Sequence, residues 1–322
     1  MVSTNVHNPN DLSQPVVGRF APSPSGRIHV GNLFSFMVAY IRAHQKGGSC
    51  VLRIEDLDPD RSKQCHIDQI FRDLDWFGFE WSGEVVYQSE RTEAYQEAFD
   101  ALDSMDLLYP CFCTRADLHA AQAPHPGEEF VYQGTCRHLS HDEQAEKARV
   151  RNPAYRICVT SDEIVIDDAF QGEHHYNLQG SSGDFIVRRS DKTFAYQLAV
   201  VVDDAYQQVN EVCRGIDLLS SAPRQRYLQE LLGLPEVTYA HVPLFLDEKG
   251  RRLSKRNNDA TLSYLIDSVG LTACQILGYI AYCSGMIDSW ESVSLSELIQ
   301  FASLDALTKT TSIVWKDPSS VK

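Results

Sequence analysis

The first hundred residues alternate between short apolar runs and helical patterns, and this order constrains the fold more than any other feature. Residues 15–21 predict a short buried strand that ends in a turn containing Gly26. Apolar side chains then recur with helical spacing on one face, at Leu33, Phe36, Met37, Tyr40 and Ile41. A second strand at residues 50–54 and two amphipathic helices, around residues 67–74 and 89–102, follow. Strand, glycine turn, helix, strand and helix are the opening of a doubly wound nucleotide-binding fold.

This order breaks down between residues 109 and 187, where we predict an insertion. The parallel sheet is expected to resume at residues 198–202, a continuous apolar run typical of a strand covered on both faces, which ends at Asp203 and Asp204. Residues 241–246 predict another strand, and beyond residue 259 the pattern is helical to the end. The predicted fold class is α/β, a Rossmann-type doubly wound parallel sheet with an insertion and a small C-terminal helical domain.

These patterns predict five segments in the chain. Each is defined by its composition and its periodicity. They are a polar N-terminal extension (1–15), the first half of the nucleotide-binding fold (16–108), the insertion (109–187), the second half of the fold (188–240), and a C-terminal region that holds a basic loop and helices (241–322).

Two short motifs indicate phosphate chemistry. The segment 26–32, GRIHVGN, lies between a predicted strand and a predicted helix, and the start of a helix attracts phosphate through its unpaired N–H groups. Gly31 would let a nucleotide approach the backbone, and His29 could donate a hydrogen bond as charge develops. The segment 252–256, RLSKR, is a basic loop that could close over a triphosphate. Each motif alone is weak, since a histidine beside a glycine is often structural and a basic run is often plain surface.

A third motif indicates a metal site. Cys111 and Cys113 form a C-x-C pair, and Cys136 follows 23 residues after Cys113. Three thiolates and one further ligand suit a tetrahedral Zn²⁺, and chemistry alone favours His138 as the fourth. The alternative is three unrelated buried cysteines. The remaining six cysteines have no spacing that indicates a disulfide framework.

Together, and in this order, the first two motifs resemble the HIGH and KMSKS signatures of class I aminoacyl-tRNA synthetases. The strings RFAPSPSG at 19–26, RIEDLD at 53–58, VVVDD at 200–204 and RG at 214–215 resemble the glutamyl branch of that class. The resemblance covers residues 17–256. It departs from the usual signatures at Asn32, Arg252 and Arg256, which leaves the role of Asn32 in doubt.

The resemblance implies that ATP and glutamate are substrates, with Mg²⁺ on the phosphates, and it assigns residues to each site. In the glutamate site, Arg19 and Arg214 would bind the two carboxylates, and which arginine binds which is left open. Glu55 would bind the ammonium group, and Tyr196 would add a hydroxyl. The pocket would also be lined by residues 19–23: Arg19, Phe20, Ala21, Pro22 and Ser23. His29 and Lys255 would be catalytic, and the ATP site would comprise His29, Gly31, Asn32, Arg252, Leu253, Ser254, Lys255 and Arg256. For the metal site it indicates Tyr132, rather than His138, as the fourth ligand of a structural Zn²⁺ beside Cys111, Cys113 and Cys136.

The short members of this family transfer glutamate to the queuosine base of tRNA(Asp), and the chain is most similar to them. Only 66 residues follow Arg256 (322 − 256), too few for the large anticodon-binding region of a full glutamyl-tRNA synthetase. Two alternatives remain open. One is a reduced glutamyl-tRNA synthetase that charges the 3′ end, and the other is a catalytically silent nucleotide- or tRNA-binding protein. The presence of His29, Glu55 and Lys255 disfavours the silent protein.

The net charge of −15 opposes a polyanionic partner unless basic residues gather on one face. We expect such a face to run from the loop at residues 251–256 toward Arg188 and Arg189. No apolar run reaches the length needed to span a bilayer, and the first fifteen residues lack the profile of a signal peptide. We therefore predict a cytoplasmic protein with no membrane partner that acts as a monomer.

Overall fold

A computed structural model describes residues 15–114, 116–117, 131–160, 163–253 and 261–320. The strands in these ranges are β1 (Val17–Phe20), β2 (Ser49–Ile54), β3 (Val86–Tyr87), β4 (Leu108–Cys111), β5 (Ala154–Ile157), β6 (Ile164–Asp168), β7 (Gly172–Tyr176), β8 (Phe185–Arg188), β9 (Glu211–Gly215), β10 (Thr238–Val242), β11 (Leu244–Leu246) and β12 (Ser312–Val314). The α-helices are α1 (Val30–Gln45), α2 (Gln64–Phe77), α3 (Thr92–Ser104), α4 (His141–Ala148), α5 (Leu178–Ser181), α6 (Tyr196–Tyr206), α7 (Ala222–Leu232), α8 (Ala273–Cys283) and α9 (Leu295–Phe301).

Parallel strands form the centre of the molecule. β1, β2 and β3 pair in parallel, and β9, β10 and β6 pair in parallel in a second group whose outer strand, β7, is antiparallel. The backbone N–H of Asn210 donates to the carbonyl of Val17 at 3.1 Å, which brings the start of β9 beside β1. The carboxyl ends of these strands therefore lie together, where open α/β sheets bind their ligands.

Two apolar cores cover the strands. One surrounds α1, which buries ten of its sixteen residues, together with β1, β2 and parts of α2, α8 and α9. The other joins α3, α6 and α7 to β6 and β9. Gly48 allows the tight return from α1 to β2, because a Cβ there would lie 1.9 Å from the carbonyl oxygen of Val16. Strand β1 and helices α1, α2 and α3 therefore form where the apolar periodicity predicts them.

The prediction of a strand at residues 198–202 is wrong. These residues lie in α6, where Leu198, Ala199, Val200 and Val201 are all buried. A helix packed on nearly every side needs no polar face, so its sequence reads as a continuous apolar run, like that of a buried strand. Asp203 and Asp204 consequently lie within the last turns of a helix, and they do not end a strand.

Two predicted boundaries also differ. The predicted strand at residues 241–246 is two strands, β10 and β11, separated by Pro243, which cannot donate to a ladder. The C-terminal residues are not helical throughout, because β12 pairs in parallel with β11. Within β12 only two consecutive residues have strand preference, Ile313 and Val314, too few to stand out from the helical pattern before them.

The segment predicted as an insertion contributes to two sheets. β4 and β5 pair antiparallel, and β5 pairs antiparallel with β8. β6 instead joins the edge of β10, with Asp168 opposite Tyr239. None of the helices within the described ranges is both long and apolar enough to cross a membrane.

Candidate active site

A cavity of about 480 Å³ opens at the carboxyl ends of β1, β2, β9 and β10. Its wall brings together segments that lie far apart in sequence. Twelve of the residues predicted for glutamate or ATP line it: Arg19, Ala21, Pro22, Ser23, His29, Gly31, Asn32, Glu55, Tyr196, Arg214, Arg252 and Leu253. Phe20 does not; its ring is fully buried in the core, 5.4 Å from the ring of Phe36.

Arg19 is held from behind by a buried ion-pair network. Its Nε donates to Asp204 Oδ1 at 3.2 Å, and Arg53 Nη1 donates to the same oxygen at 2.8 Å. Arg53 is completely buried and also lies within 4.0 Å of Asp203. These carboxylates, with Glu55, hold the pKa of Arg53 above its ordinary value despite the opposing effect of burial.

Asp203 is the second anchor of this network. It accepts hydrogen bonds from Arg91 Nε at 2.7 Å, from the Tyr95 hydroxyl at 2.7 Å and from Gln88 Nε2 at 2.9 Å. Its side chain is fully buried. The two aspartates of α6 thus fix three arginines, Arg19, Arg53 and Arg91, behind this wall of the cavity.

Glu55 follows β2 and lines the cavity, and one of its carboxylate oxygens lacks a hydrogen bond to any described residue. Its Oε1 is buried and has no hydrogen-bond partner within the described ranges, although Arg53 Nη2 lies 3.6 Å away. Burial raises the pKa of Glu55, and the nearby cations Arg53 and Arg19 offset part of the rise. A donor with positive charge would satisfy this oxygen.

Arg214, on β9, is buried with only uncharged partners among the described residues. Its Nε donates to His241 Nε2 at 3.0 Å, and its Nη1 donates to Gln225 Oε1 at 2.8 Å and to the Tyr196 hydroxyl at 3.4 Å. Its Nη2 donates to the carbonyl of Leu218 at 3.2 Å. None of these groups neutralises the guanidinium, so the cavity presents a positive charge that a carboxylate can take up.

The start of α1 forms another part of the wall. His29 is the N-cap residue, and its Nδ1 accepts the backbone N–H of Gly31 at 3.1 Å. A neutral ring in this arrangement carries its proton on Nε2. A Cβ on residue 31 would lie 3.0 Å from His29 Cε1, so only glycine fits without displacing the ring.

The basic loop is described only in part. Arg252 Nη2 pairs with Asp217 Oδ2 at 2.7 Å, and Leu253 packs against the larger core. Both line the cavity. Ser254, Lys255 and Arg256 lie outside the described residues, so their predicted roles in ATP binding stay predictions.

The cysteine motif also comes together in space. The sulfur atoms of Cys111, Cys113 and Cys136 lie within 4.8 Å of one another, and this is the sole cluster of three or more metal-ligating side chains in the described ranges. The Tyr132 hydroxyl is 3.4 Å from Cys111 Sγ and 3.9 Å from Cys113 Sγ. His138 is not part of the cluster.

Arg156 supports this cluster electrostatically. Its Nε donates to Cys111 Sγ at 3.3 Å, and its guanidinium lies 3.7 Å from the centre of the Tyr132 ring. Burial acts to raise the pKa of Cys111, but the hydrogen bonds from Tyr132 and Arg156 outweigh it and lower that pKa. Burial raises the pKa of Cys113 to about 12, with the neighbouring sulfurs adding to the rise.

A second cavity, of about 870 Å³, adjoins the first. The two share Ser23, Ser25, Glu55 and Tyr196. Four arginines line the second cavity: Arg61, Arg151, Arg156 and Arg189. Arg188, which we expected on the same basic face, instead packs over the rings of Phe99 and Phe194.

Sequence patterns did not point to several residues that build the site. Arg53 lies within the motif at 53–58, which predicts no role for it, and Asp203 and Asp204 are predicted only as the end of a strand. His241 and Asp168 were not selected at all. A charged or imidazole side chain inside an apolar strand is the signal that could have identified Arg53 and His241, because such groups are buried only when paired.

Comparison with known proteins gives a family and a set of close relatives. Residues 15–317 match the family described as tRNA synthetases class I (E and Q), catalytic domain. The Glutamyl-Q tRNA(Asp) synthetase of Nitratidesulfovibrio vulgaris is 44% identical over 282 residues, which span 84% of this chain and 86% of that protein. The Glutamyl-Q tRNA(Asp) synthetase of Symbiobacterium thermophilum is 42% identical over 294 residues, 88% of this chain and 90% of the relative.

Solved structures show the same fold. The glutamate tRNA ligase of Elizabethkingia meningosepticum, crystallised in complex with its amino acid, matches with a TM-score of 0.79 at 24% sequence identity. The match covers 94% of this chain and 68% of that chain. The prediction of a Rossmann-like parallel core is confirmed at this level.

Proposed function

The chain belongs to the class I tRNA synthetases of the glutamate and glutamine group, and from this premise we propose that it activates glutamate with ATP and transfers it to the queuosine base of tRNA(Asp). The observation that carries the proposal is the charge pattern of the first cavity. Two buried guanidinium groups and one carboxylate with an unsatisfied oxygen line it. Free glutamate has the complementary set, two carboxylates and one ammonium.

The amino-acid pocket would work through these charges. Arg19 and Arg214 each bind a carboxylate through guanidinium N–H donors, and Glu55 binds the ammonium group through its carboxylate. Tyr196 adds a hydroxyl beside Arg214. Residues 21–23 shape the wall, and Phe20 holds that segment to the core from behind.

ATP would lie toward the start of α1. A carboxylate oxygen of glutamate attacks the α-phosphorus in line, pyrophosphate leaves, and glutamyl-adenylate forms without a covalent bond to the protein. The Nε2–H of His29 donates to the phosphate oxygens as their charge grows, and Gly31, Asn32, Arg252 and Leu253 line the nucleotide's side of the cavity. We also assign Ser254, Lys255 and Arg256 to this site, with Lys255 stabilising the leaving phosphates.

Mg²⁺ would enter with the nucleotide. The described residues hold no cluster of carboxylates suited to a protein-bound Mg²⁺, whereas triphosphate oxygens and water provide the ligands this ion prefers. When bound, the ion neutralises phosphate charge. The chain's own contribution is to align the two substrates.

The second step needs an acceptor next to the activated carbonyl. A nucleophilic group of the queuosine base attacks that carbon, AMP leaves, and the proton of the nucleophile is released. The second cavity adjoins the amino-acid pocket at Glu55 and Tyr196, and its arginines suit the phosphates that flank an anticodon base. We propose that Arg61, Arg151 and Arg189 contact the tRNA there.

We further propose that the cysteine cluster binds a structural Zn²⁺ through Cys111, Cys113, Cys136 and Tyr132. Three sulfur atoms and a phenol oxygen around one point suit a tetrahedral ion, and the lowered pKa of Cys111 favours the thiolate. All nine cysteines are free, as expected in a reducing compartment, and we propose that the protein acts in the cytoplasm as a monomer.

The site of attachment tests the proposal. Labelled glutamate and ATP are incubated with tRNA(Asp) that carries queuosine, with tRNA(Asp) that lacks it, and with tRNA(Glu). We expect label only on the first, and undiminished label when its 3′-terminal adenosine has been removed. Label on the 3′ end of tRNA(Glu) would support a reduced glutamyl-tRNA synthetase instead. The absence of glutamate-dependent exchange between pyrophosphate and ATP would support a silent binding protein.

A further inference from the structure

A histidine lies between a buried carboxylate and the arginine of the amino-acid pocket. Asp168 ends β6, His241 lies on β10 and Arg214 lies on β9, with His241 opposite Arg214 in the strand register. Asp168 Oδ2 is 2.5 Å from His241 Nδ1, and Arg214 Nε donates to His241 Nε2 at 3.0 Å. All three side chains are 5% exposed or less.

The direction of these hydrogen bonds is fixed by chemistry. A guanidinium can only donate, so His241 Nε2 must be the acceptor and the ring proton must be on Nδ1. That proton is donated to Asp168. The carboxylate is itself anchored, since its Oδ1 accepts the backbone N–H groups of Phe170 at 3.0 Å and Gln171 at 2.9 Å.

The directions of the pKa shifts of His241 and Asp168 favour the same arrangement. Burial lowers the pKa of His241, and Arg214 lowers it further, although Asp168 acts in the opposite direction. Burial acts to raise the pKa of Asp168, but the hydrogen bonds from His241 and from the backbone outweigh it and lower that pKa. A neutral imidazole and an ionised carboxylate are therefore the stable pair near neutral pH.

From this geometry we propose that Asp168 and His241 are positioning residues that hold Arg214 ready for a carboxylate of glutamate. A carboxylate in direct contact with Arg214 would compete with the carboxylate of the substrate for its N–H groups. Asp204 would compete in this way for Nε of Arg19, which already donates to it. The neutral imidazole avoids that competition: it fixes the guanidinium plane and leaves the positive charge for the ligand. This inference rests on the proposed activation of glutamate.

The amide variant of Asp168 tests the direction of the hydrogen bonds. In Asp168→Asn the new amide donates to Nδ1, so the ring proton moves to Nε2 and faces the N–H of Arg214. An amide behind a histidine disrupts serine protease triads through the same change of tautomer. We expect the KM for glutamate in pyrophosphate exchange to rise at least about tenfold, with the KM for ATP within about twofold of wild type. Asp167→Asn, at the exposed neighbour on the same strand, should change neither.

Two further variants keep the test decisive if Asp168→Asn folds poorly. Gln can place a carbonyl oxygen near the Nε2 position and accept from Arg214, whereas Asn is too short to reach it. We expect the KM for glutamate in His241→Gln to stay within about threefold of wild type. In His241→Asn, the KM for glutamate should rise as much as it does in Asp168→Asn. Equal effects of the two variants, or equal rises in the KM of glutamate and ATP, would overturn the inference. Failure of the wild type to show glutamate-dependent exchange would instead overturn the proposed function.

Discussion

The amino-acid pocket and the cysteine cluster differ in what holds them together. The pocket draws on β1, β2, α6 and β9, and its charged residues are fixed by buried hydrogen bonds between two large cores. The cysteine cluster has a small core of its own, made of Tyr109, Cys111, Tyr132 and Cys136. A site with many internal bonds is preorganised without ligand, whereas a site with few depends on the ion it binds.

The largest expected effect comes from removing the anchor of the pocket's network. Asp203→Ala leaves Arg91 without its carboxylate partner and removes the acceptor of two buried side chains, Tyr95 and Gln88, and we expect the free energy of unfolding to fall by about 3–5 kcal/mol. Urea denaturation measures this. Tyr95→Phe, which removes one hydrogen bond to the same aspartate, should cost about 1 kcal/mol. If Asp203→Ala costs no more than Tyr95→Phe, the network does not hold the pocket.

The next largest effect is expected from changing Glu55, the group proposed to bind the ammonium of glutamate. Glu55→Gln preserves shape and removes charge, and we expect kcat/KM for glutamate in pyrophosphate exchange to fall about 100-fold. Stability should change little, because the burial that opposes the charge of Glu55 offsets the loss of its ion pair with Arg53 at 3.6 Å. Glu84→Gln, at an exposed position, is the matched control and should behave as wild type. Wild-type kinetics in Glu55→Gln would remove this residue from the pocket.

The pH dependence of glutamate binding should report the same carboxyl. Burial raises the pKa of Glu55, so as the pH falls it takes up a proton at a higher pH than an ordinary glutamate side chain does. The protonated form cannot pair with the ammonium, and the KM for glutamate should rise about tenfold per pH unit below that pKa. Kinetics between pH 5.5 and 8 would measure this. The rise should disappear in Glu55→Gln; its persistence there would assign it to another group.

The smallest effect on activity is expected from the cysteine cluster. Cys113→Ser should reduce bound zinc, measured by atomic emission, from one ion per chain to near zero, because three ligands hold Zn²⁺ far less tightly than four. Exchange activity should stay within about threefold, since the pocket is fixed by its own bonds. Cys65→Ser, at an exposed cysteine, should change neither quantity. A large loss of exchange in Cys113→Ser would show that the two regions are coupled.

Sequence patterns predicted the parts of the molecule where local order and function coincide. Helix α1 and strands β1 and β2 follow from apolar periodicity, and twelve of the residues assigned from the family motifs line one cavity. The patterns failed at α6, since a helix buried on all sides has the same apolar run as a buried strand. They also could not identify Asp168 as a partner of His241, because a contact across 73 residues depends on strand order rather than on local sequence.

Strand β6 has a consequence for exchanging parts between relatives. It belongs to the segment predicted as an insertion, yet it pairs with β10 and carries the carboxylate that contacts His241. A chimaera that replaced residues 109–187 as one block would therefore also replace an edge of the central sheet and one member of the amino-acid site. Chimaeras that keep β6 and β7 of the recipient protein should preserve its glutamate affinity. In chimaeras that replace these strands, the orientation of Arg214 would depend on the residues of the donor protein.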